Sequence, residues 1–380
     1  MRKVWNNERG EKMVQKNNRN YGIDFLRIVA LLGVITLHIL GHGGVLSNVK
    51  TNAGYAVAWF LEILAYPSVN CFILVSGFVG YREKRYYPRL RNILQLFLTV
   101  LFYSVLLCLA IKAFYPEQIG MKDIIISFLP ITTQQYWFFT SYFAMFLVSP
   151  MINMFVDTAD RKMIGVSYAV ILLLSCISLK SDWFFLHGGY SFIWFVIVYF
   201  IGATMKKYQI MQKMSALKCV LLLCMTLLIT WLPKMTYLFY QSEGLAKTVQ
   251  NCLISYASPT ILFMAMLTLT LFQRIPINVR MGKLITFFSA SAFSVYLIHD
   301  NKHVRSLCIA ERFAFLNEQN PFVMVGVVIL CVLAIYFVCT LVDKVRSCLF
   351  KILRIEKFTE MLEKWFKRIV VYGESLCKKS

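Results

Sequence analysis

The stretch YGIDFLRIVALLGVITLHILGH, residues 21–42, decides how this chain is read. It is apolar over the ~20 residues that a helix needs to cross a bilayer. It also carries Asp24, Arg27, His38 and His42. A charged side chain at the bilayer centre costs roughly 2.5–3.5 kcal/mol on insertion scales, so such residues are either sheltered or used. From Arg27 to His38 a helix rises ~16–17 Å and turns ~1100°, three turns plus about 20°. The two side chains therefore share one face, about half a bilayer apart. Asp24 stands three residues before Arg27, within reach of an ion pair that lowers the cost of burial. His42 lies one turn beyond His38 on a neighbouring line. A plainer reading has Arg27 snorkelling to the interface and His38 satisfied by a neighbouring helix.

The rest of the chain has the same character. Of its 380 residues 58% are hydrophobic and 16% charged, with a mean hydropathy of +0.62. Soluble domains are about 45–50% apolar and about 25% charged. The composition predicts an all-α polytopic membrane bundle. Ten spans are expected, at 22–42, 55–80, 92–115, 136–155, 163–180, 190–206, 216–235, 252–273, 283–300 and 322–342. No repeat and no soluble domain is visible. The division expected is a basic segment 1–20, a transmembrane domain 21–342 and a basic tail 343–380. The polar start and the lack of a small-residue cleavage site predict that the first helix is retained.

The net charge of +21 does not point to nucleic acid. Basic residues sit in short blocks between apolar segments and in the tail, as topology signals do. With the N-terminus cytoplasmic, 29 of the 40 Lys and Arg fall on the inner side and 8 on the outer. Both termini are therefore expected in the cytoplasm. The tail places Ile355, Phe358, Leu362, Trp365 and Ile369 at helical spacing among Lys and Arg, a pattern suited to lying on an anionic leaflet. A partner-binding helix is the alternative. Eleven cysteines, mostly within apolar segments and with no CxxC, read as packing residues rather than a disulfide framework or a metal site.

Other polar residues recur at chosen depths. The ninth expected span ends FSASAFSVYLIHDN, which brings Ser291 and Ser294 onto one face and His299 and Asp300 to the outer end. His38, His42 and His299 then share an outer depth. Glu62 lies in the outer third of the second span, either orienting an imidazole or facing water. His187 and His303 fall in outer loops and are expected to be solvated. On the inner side, SGFVGYREKRYYPRLRNIL presents Arg82, Lys84, Arg85, Arg89 and Arg91. This is a positive-inside loop and also a candidate cradle for phosphates, which guanidinium forks suit. YWFFTSYF opens the fourth span, where Tyr136 and Trp137 suit an interfacial belt.

These pieces together resemble the acyltransferase 3 family, integral membrane proteins that acylate extracytoplasmic glycans. GIDFLRIVALLGVITLH resembles its first-helix motif of an arginine and, after ten residues, a histidine: Arg27 and His38. FILVSGFVGYREKR resembles its second helix with a following Arg-x-x-Arg, here Arg82 and Arg85. YWFFTSYF with SPMIN, containing Trp137 and Tyr142, resembles its fourth helix. SVYLIH, containing Ser294, Tyr296 and His299, resembles its late motif. The pieces are in order over residues 20–300. Asn70 and YYPRLRN depart from the family pattern, and the esterase-like extracytoplasmic domain that some members add is not expected here.

The resemblance implies a multi-pass protein of the bacterial plasma membrane that moves an acyl group to a hydroxyl of an extracytoplasmic polysaccharide or lipid-linked sugar. The implied donor is an acyl-CoA, acetyl before succinyl, used as a substrate with no tightly bound cofactor and no metal. Arg82, Arg85, Arg89 and Arg91 would hold the donor's phosphates. His38 would act as general base or as a transient acyl carrier, with Arg27 and His299 as catalytic partners. Asp24, His42, Glu62, Trp137, Tyr142, Ser294, Tyr296 and Asp300 would contact or orient the acceptor. The rival readings are a transporter or flippase of glycan precursors without covalent chemistry, and a membrane polymerase or glycosyltransferase. The outer loops, of about 20 residues or fewer, are short for the latter.

Overall fold

A computed structural model describes residues 19–47, 49, 51–84, 90–238 and 251–377. Every regular element among them is helical. In chain order they are α1 (Tyr21–Leu40), α2 (Asn52–Ala65), α3 (Ser68–Gly80), α4 (Leu90–Phe114), α5 (Met121–Ser127), α6 (Trp137–Thr158), α7 (Arg161–Ile177) and α8 (Phe192–Tyr208). There follow α9 (Ala216–Met235), α10 (Pro259–Phe272), α11 (Val279–Ser289), α12 (Ala292–His299), α13 (Lys302–Cys308), α14 (Pro321–Ile352) and α15 (Ile355–Cys377).

The protein is a polytopic helical membrane protein. Among the described residues, seven helical stretches are long and apolar enough to cross a membrane. This corrects the expectation of ten continuous spans in two ways. Three of the ten coincide with shorter helices, α7 and α8 of 17 residues and α10 of 14. Two others are broken. The second span divides into α2 and α3 at Tyr66–Pro67, where proline has no N–H to continue the ladder. The ninth divides into α11 and α12 at Ala290–Ser291. The last span also runs further than expected, α14 continuing to Ile352 before the chain turns into α15.

Helix starts follow local chemistry. Asn20, Thr51, Asp160, Ser191, Ser215 and Asn278 each accept a backbone N–H of the first turn of α1, α2, α7, α8, α9 and α11. Such caps satisfy donors that the helix itself leaves open. Inside a bilayer an unsatisfied group would be costly.

α1 is the hub. It packs against α2, α3, α10, α11, α12 and α14. Its buried residues, among them Leu26, Leu31, Ile35 and Ile39, lie all round the helix, as expected of a helix with neighbours on every side. The outer ring, by contrast, turns large apolar side chains outward, for example Leu172 and Leu173 of α7, Leu221 of α9 and Leu330 of α14.

α3 and α8 approach closely, backbone to backbone. A Cβ at Gly77 would fall on the Tyr199 carbonyl, and one at Gly202 on the Leu74 carbonyl. Small residues permit such backbone approach, which is how helices associate when lipid removes the hydrophobic drive. Gly77→Val should therefore destabilise the bundle by about 1–3 kcal/mol or more, the usual cost of overpacking. Gly326→Val, where nothing lies within 4 Å, should leave thermal unfolding in detergent unchanged. Equal melting of the two variants would remove this account of the SGF segment.

Candidate active site

The ends of α1 and α12 meet. His299 Nδ1 lies 2.6 Å from the Val295 carbonyl one turn back on its own helix. A carbonyl only accepts, so Nδ1 carries the proton. In the neutral ring Nε2 is then the acceptor. That Nε2 is 3.1 Å from His38 Nδ1, so His38 must donate from Nδ1. The lone pair of His38 is thereby assigned to Nε2. Asp300 Oδ1 lies 3.7 Å from the same His38 Nδ1 and accepts from Arg305 Nη1 of α13 at 2.7 Å. An imidazole with one nitrogen held by an orienting partner and the other left with its lone pair has the arrangement of a base or nucleophile.

The α12 end is braced from behind. Asn301 Nδ2 donates to the Tyr136 hydroxyl at 3.0 Å, and that hydroxyl donates to the Leu297 carbonyl at 3.1 Å. Tyr136 is thus fully buried, which corrects its reading as an interfacial belt residue. The α13 helix is fixed in turn by Lys302, whose Nζ donates to Asp123 Oδ1 of α5 at 2.6 Å. The Lys302 ammonium holds the Asp123 carboxyl below its usual range. His303, expected to be solvated, instead has a side chain only 14% exposed beside Asp123. His187 lies beside Asp182 with its side chain 63% exposed, in line with expectation.

A cavity of about 650 Å³ runs along α1 from Arg27 to His38 and His42. Its walls include four more of the expected site residues, Glu62, Trp137, Tyr142 and Tyr296. Trp137 packs among aromatic rings of this wall. It stacks near-parallel to Tyr256 (17°, centroids 6.3 Å apart) and meets Tyr190 at 4.5 Å. The break between α11 and α12 opens onto the same space through Ser289 and Ala290. Ser294 is not part of the wall; it is buried beside Asp343 of α14.

A second cavity, about 940 Å³, lies at the other end of α1 and shares Arg27 with the first. Arg82, expected among the donor ligands, lines it, together with Arg27 and with Asp24, expected on the acceptor side but lying instead at this far end; Arg19, Lys206 and Arg274 join them. Asp24 takes both neighbouring guanidinium groups, Arg19 through Nε and Arg27 through Nη1 at 2.7 Å, which confirms the anticipated i, i+3 pair. Five cations against one carboxylate make this an electropositive chamber. Arg274 is fixed by the carbonyls of Met211, Gln212 and Met214, and Lys206 stands 4.9 Å over the Phe78 ring.

Arg91, one of the four expected phosphate ligands, is not in this set. It is held by Glu356 and Glu360 of α15, and so ties α4 to the tail helix. Arg85 and Arg89 lie outside the described residues. The sequence reading missed Arg19, Lys206 and Arg274, which look like ordinary topology charges, and Tyr66, Tyr190, Tyr256 and Arg305, which enter from separate segments. Arg305 alone left a signal, standing five residues after Asp300. Among the described residues no group of three or more His, Cys, Asp or Glu side chains is placed to hold a metal ion.

Residues 20–343 match the family model described as an acyltransferase domain, Acyl_transf_3. No curated protein and no solved structure matches the chain.

Proposed function

Since the chain belongs to the acyltransferase 3 family and is a membrane acyltransferase, we propose that it takes an acyl group from acyl-CoA on the cytoplasmic side and passes it to a sugar hydroxyl on the other. Membership sets aside the transporter and polymerase readings. The observation that carries the proposal is Arg27. It belongs to both cavities, so the electropositive chamber and the His38 chamber adjoin at this residue, and in this reading the donor passes from one to the other there.

In this reading the positive-inside bias orients the bundle with residues 1–20 and 343–380 in the cytoplasm and ten crossings between, the three shorter helices included. The membrane is the bacterial plasma membrane. Arg19, Arg27, Arg82, Lys206 and Arg274 would face the donor's diphosphate and ribose phosphate, where charge-assisted hydrogen bonds are strongest. The pantetheine arm would pass Arg27 towards His38. The acceptor, a hydroxyl of an extracytoplasmic polysaccharide or lipid-linked sugar, would enter from the His42 and Arg305 end.

The transfer is one displacement at the thioester carbonyl. His38 Nε2 takes the proton of the acceptor hydroxyl as its oxygen attacks. A C–O bond forms, the C–S bond breaks, and the proton passes to the leaving thiolate. His299 fixes the tautomer that leaves Nε2 open, and the Asp300 carboxylate stabilises the imidazolium formed in passing. Acetyl is the group proposed, with succinyl the alternative.

The test is the full chain in proteoliposomes with labelled acetyl-CoA on the side of the termini and extracted envelope glycan on the other. Label should appear as ester on the glycan. Arg82→Ala should raise the acetyl-CoA KM about 10-fold or more, since a charged hydrogen bond contributes about 1.5–3 kcal/mol. Label retained wholly in CoA with correctly inserted protein would sink the reading. An unchanged donor KM would remove Arg82 from the cradle.

A further inference from the structure

Glu62 has no part in the transfer step above, yet it stands in the wall of the same cavity. Its residue is only 8% exposed. Its Oε2 is buried with no hydrogen-bond partner, and Glu62 makes no ion pair among the described residues. Leaving a carboxyl unpaired in apolar surroundings is expensive. A ligand in the cavity can supply the missing donors.

The surroundings say which ligand. The Tyr66, Tyr190 and Tyr256 hydroxyls lie in electrostatic reach of Glu62. The rings of Tyr66 and Tyr256 meet at 4.8 Å, those of Tyr190 and Tyr256 at 5.1 Å, and Trp137 closes the group. The site therefore offers broad aromatic faces and, at their edge, a carboxyl wanting O–H donors. A pyranose ring matches both demands, with C–H groups on its face and hydroxyls at its rim. A ring carrying a carboxylate or phosphate does not match. It would meet Glu62 without a compensating cation, because both guanidinium groups in the same wall are engaged, Arg305 by Asp300 and Arg27 by Asp24.

We infer that this aromatic pocket is the acceptor subsite, and that it takes an uncharged sugar ring whose hydroxyls donate to Glu62 while its C–H face lies on Trp137 and Tyr256. The inference rests on the O-acyl transfer reading and narrows its acceptor. Glu62 is a specificity residue for the sugar, and the hydroxyl left pointing to His38 is the one acylated.

Two measurements on the full chain in proteoliposomes test it. The first is release of CoA from acetyl-CoA with methyl glycosides of glucose, galactose, mannose and rhamnose, and with the matching uronates and glycoside phosphates. Neutral glycosides should raise the release above the rate with water alone, and the charged ones should not. Glu62→Gln should raise the KM for the neutral glycoside about 10-fold while the acetyl-CoA KM moves less than twofold. The second is quenching of tryptophan fluorescence by the same glycosides, read without donor, with Trp137→Phe identifying the reporter. Quenching should follow neutral glycosides and be lost in Glu62→Gln. Uronates acting as well as neutral sugars, or Glu62→Gln leaving both the glycoside KM and the quenching unchanged, would overturn the inference. Absence of any acetyl-CoA cleavage, with quenching intact, would instead overturn the acyl-transfer reading and leave the sugar site standing.

Discussion

Replacing His38 with alanine is expected to lower acyl transfer about 10³-fold, within the 10²–10⁴ range typical of a positioned general base. The reason lies in the hydrogen bonds of its neighbour. The Val295 carbonyl fixes the proton of His299 on Nδ1, His299 Nε2 then accepts from His38 Nδ1, and the lone pair this pair leaves open is that of His38 Nε2. Among the described residues no other side chain in the wall beside it, His42 included, combines a basic nitrogen with such an orienting hydrogen bond. The check is CoA release in proteoliposomes, scaled to the amount of inserted protein, with His38→Gln as a volume control. Retention of activity within threefold would remove His38 from the chemistry. Trapping of an acyl group on His38 in the absence of acceptor would keep the residue and change its role from base to carrier.

The second large effect is expected at His299, which acts through His38 rather than on the substrate. In His299→Ala, His38 Nδ1 loses its 3.1 Å acceptor, and the tautomer with the proton on Nε2 becomes accessible, which closes the base. Asp300, 3.7 Å from the same nitrogen, is a longer substitute, so the fall in kcat is set at about 10²-fold rather than the ~10⁴ seen when a buried triad loses its tautomer partner. Donor and acceptor KM should move less than threefold, because His299 does not line the cavity wall. His299→Gln, whose amide oxygen can accept from Nδ1, should recover part of the loss. Equal losses in the two variants, with both KM values raised, would show a packing role for His299 and nothing more.

Much of this site was legible in one helix. The Arg27–His38 spacing, with the Asp24 pair, follows from 3.6 residues per turn and needs no partner helix to read. Glu62 and His299 could be nominated because polar groups at membrane depth carry a cost that demands a reason, whereas Trp137, Tyr142 and Tyr296 are nominated by the family resemblance. What could not be read was which charges converge. Arg91 and Arg82 look alike in the inner loop, yet Arg91 is bound by Glu356 and Glu360 of the tail, some 265 residues away in sequence, while Arg82 lines a chamber with Lys206 and Arg274. The same holds for Tyr66, Tyr190 and Tyr256, three separate segments brought to one wall.

The sequence by itself determined the class of fold, the first span and the line along which Arg27 and His38 are set. Each depends on local quantities, namely hydropathy, the helical repeat and the cost of charge in lipid. Tertiary structure alone decided where the spans break, which nitrogen of His38 is open, and which cations share a chamber. Those depend on the Val295 carbonyl behind His299, on the glycine approach of α3 to α8, and on helices distant in the chain, and no local pattern encodes them.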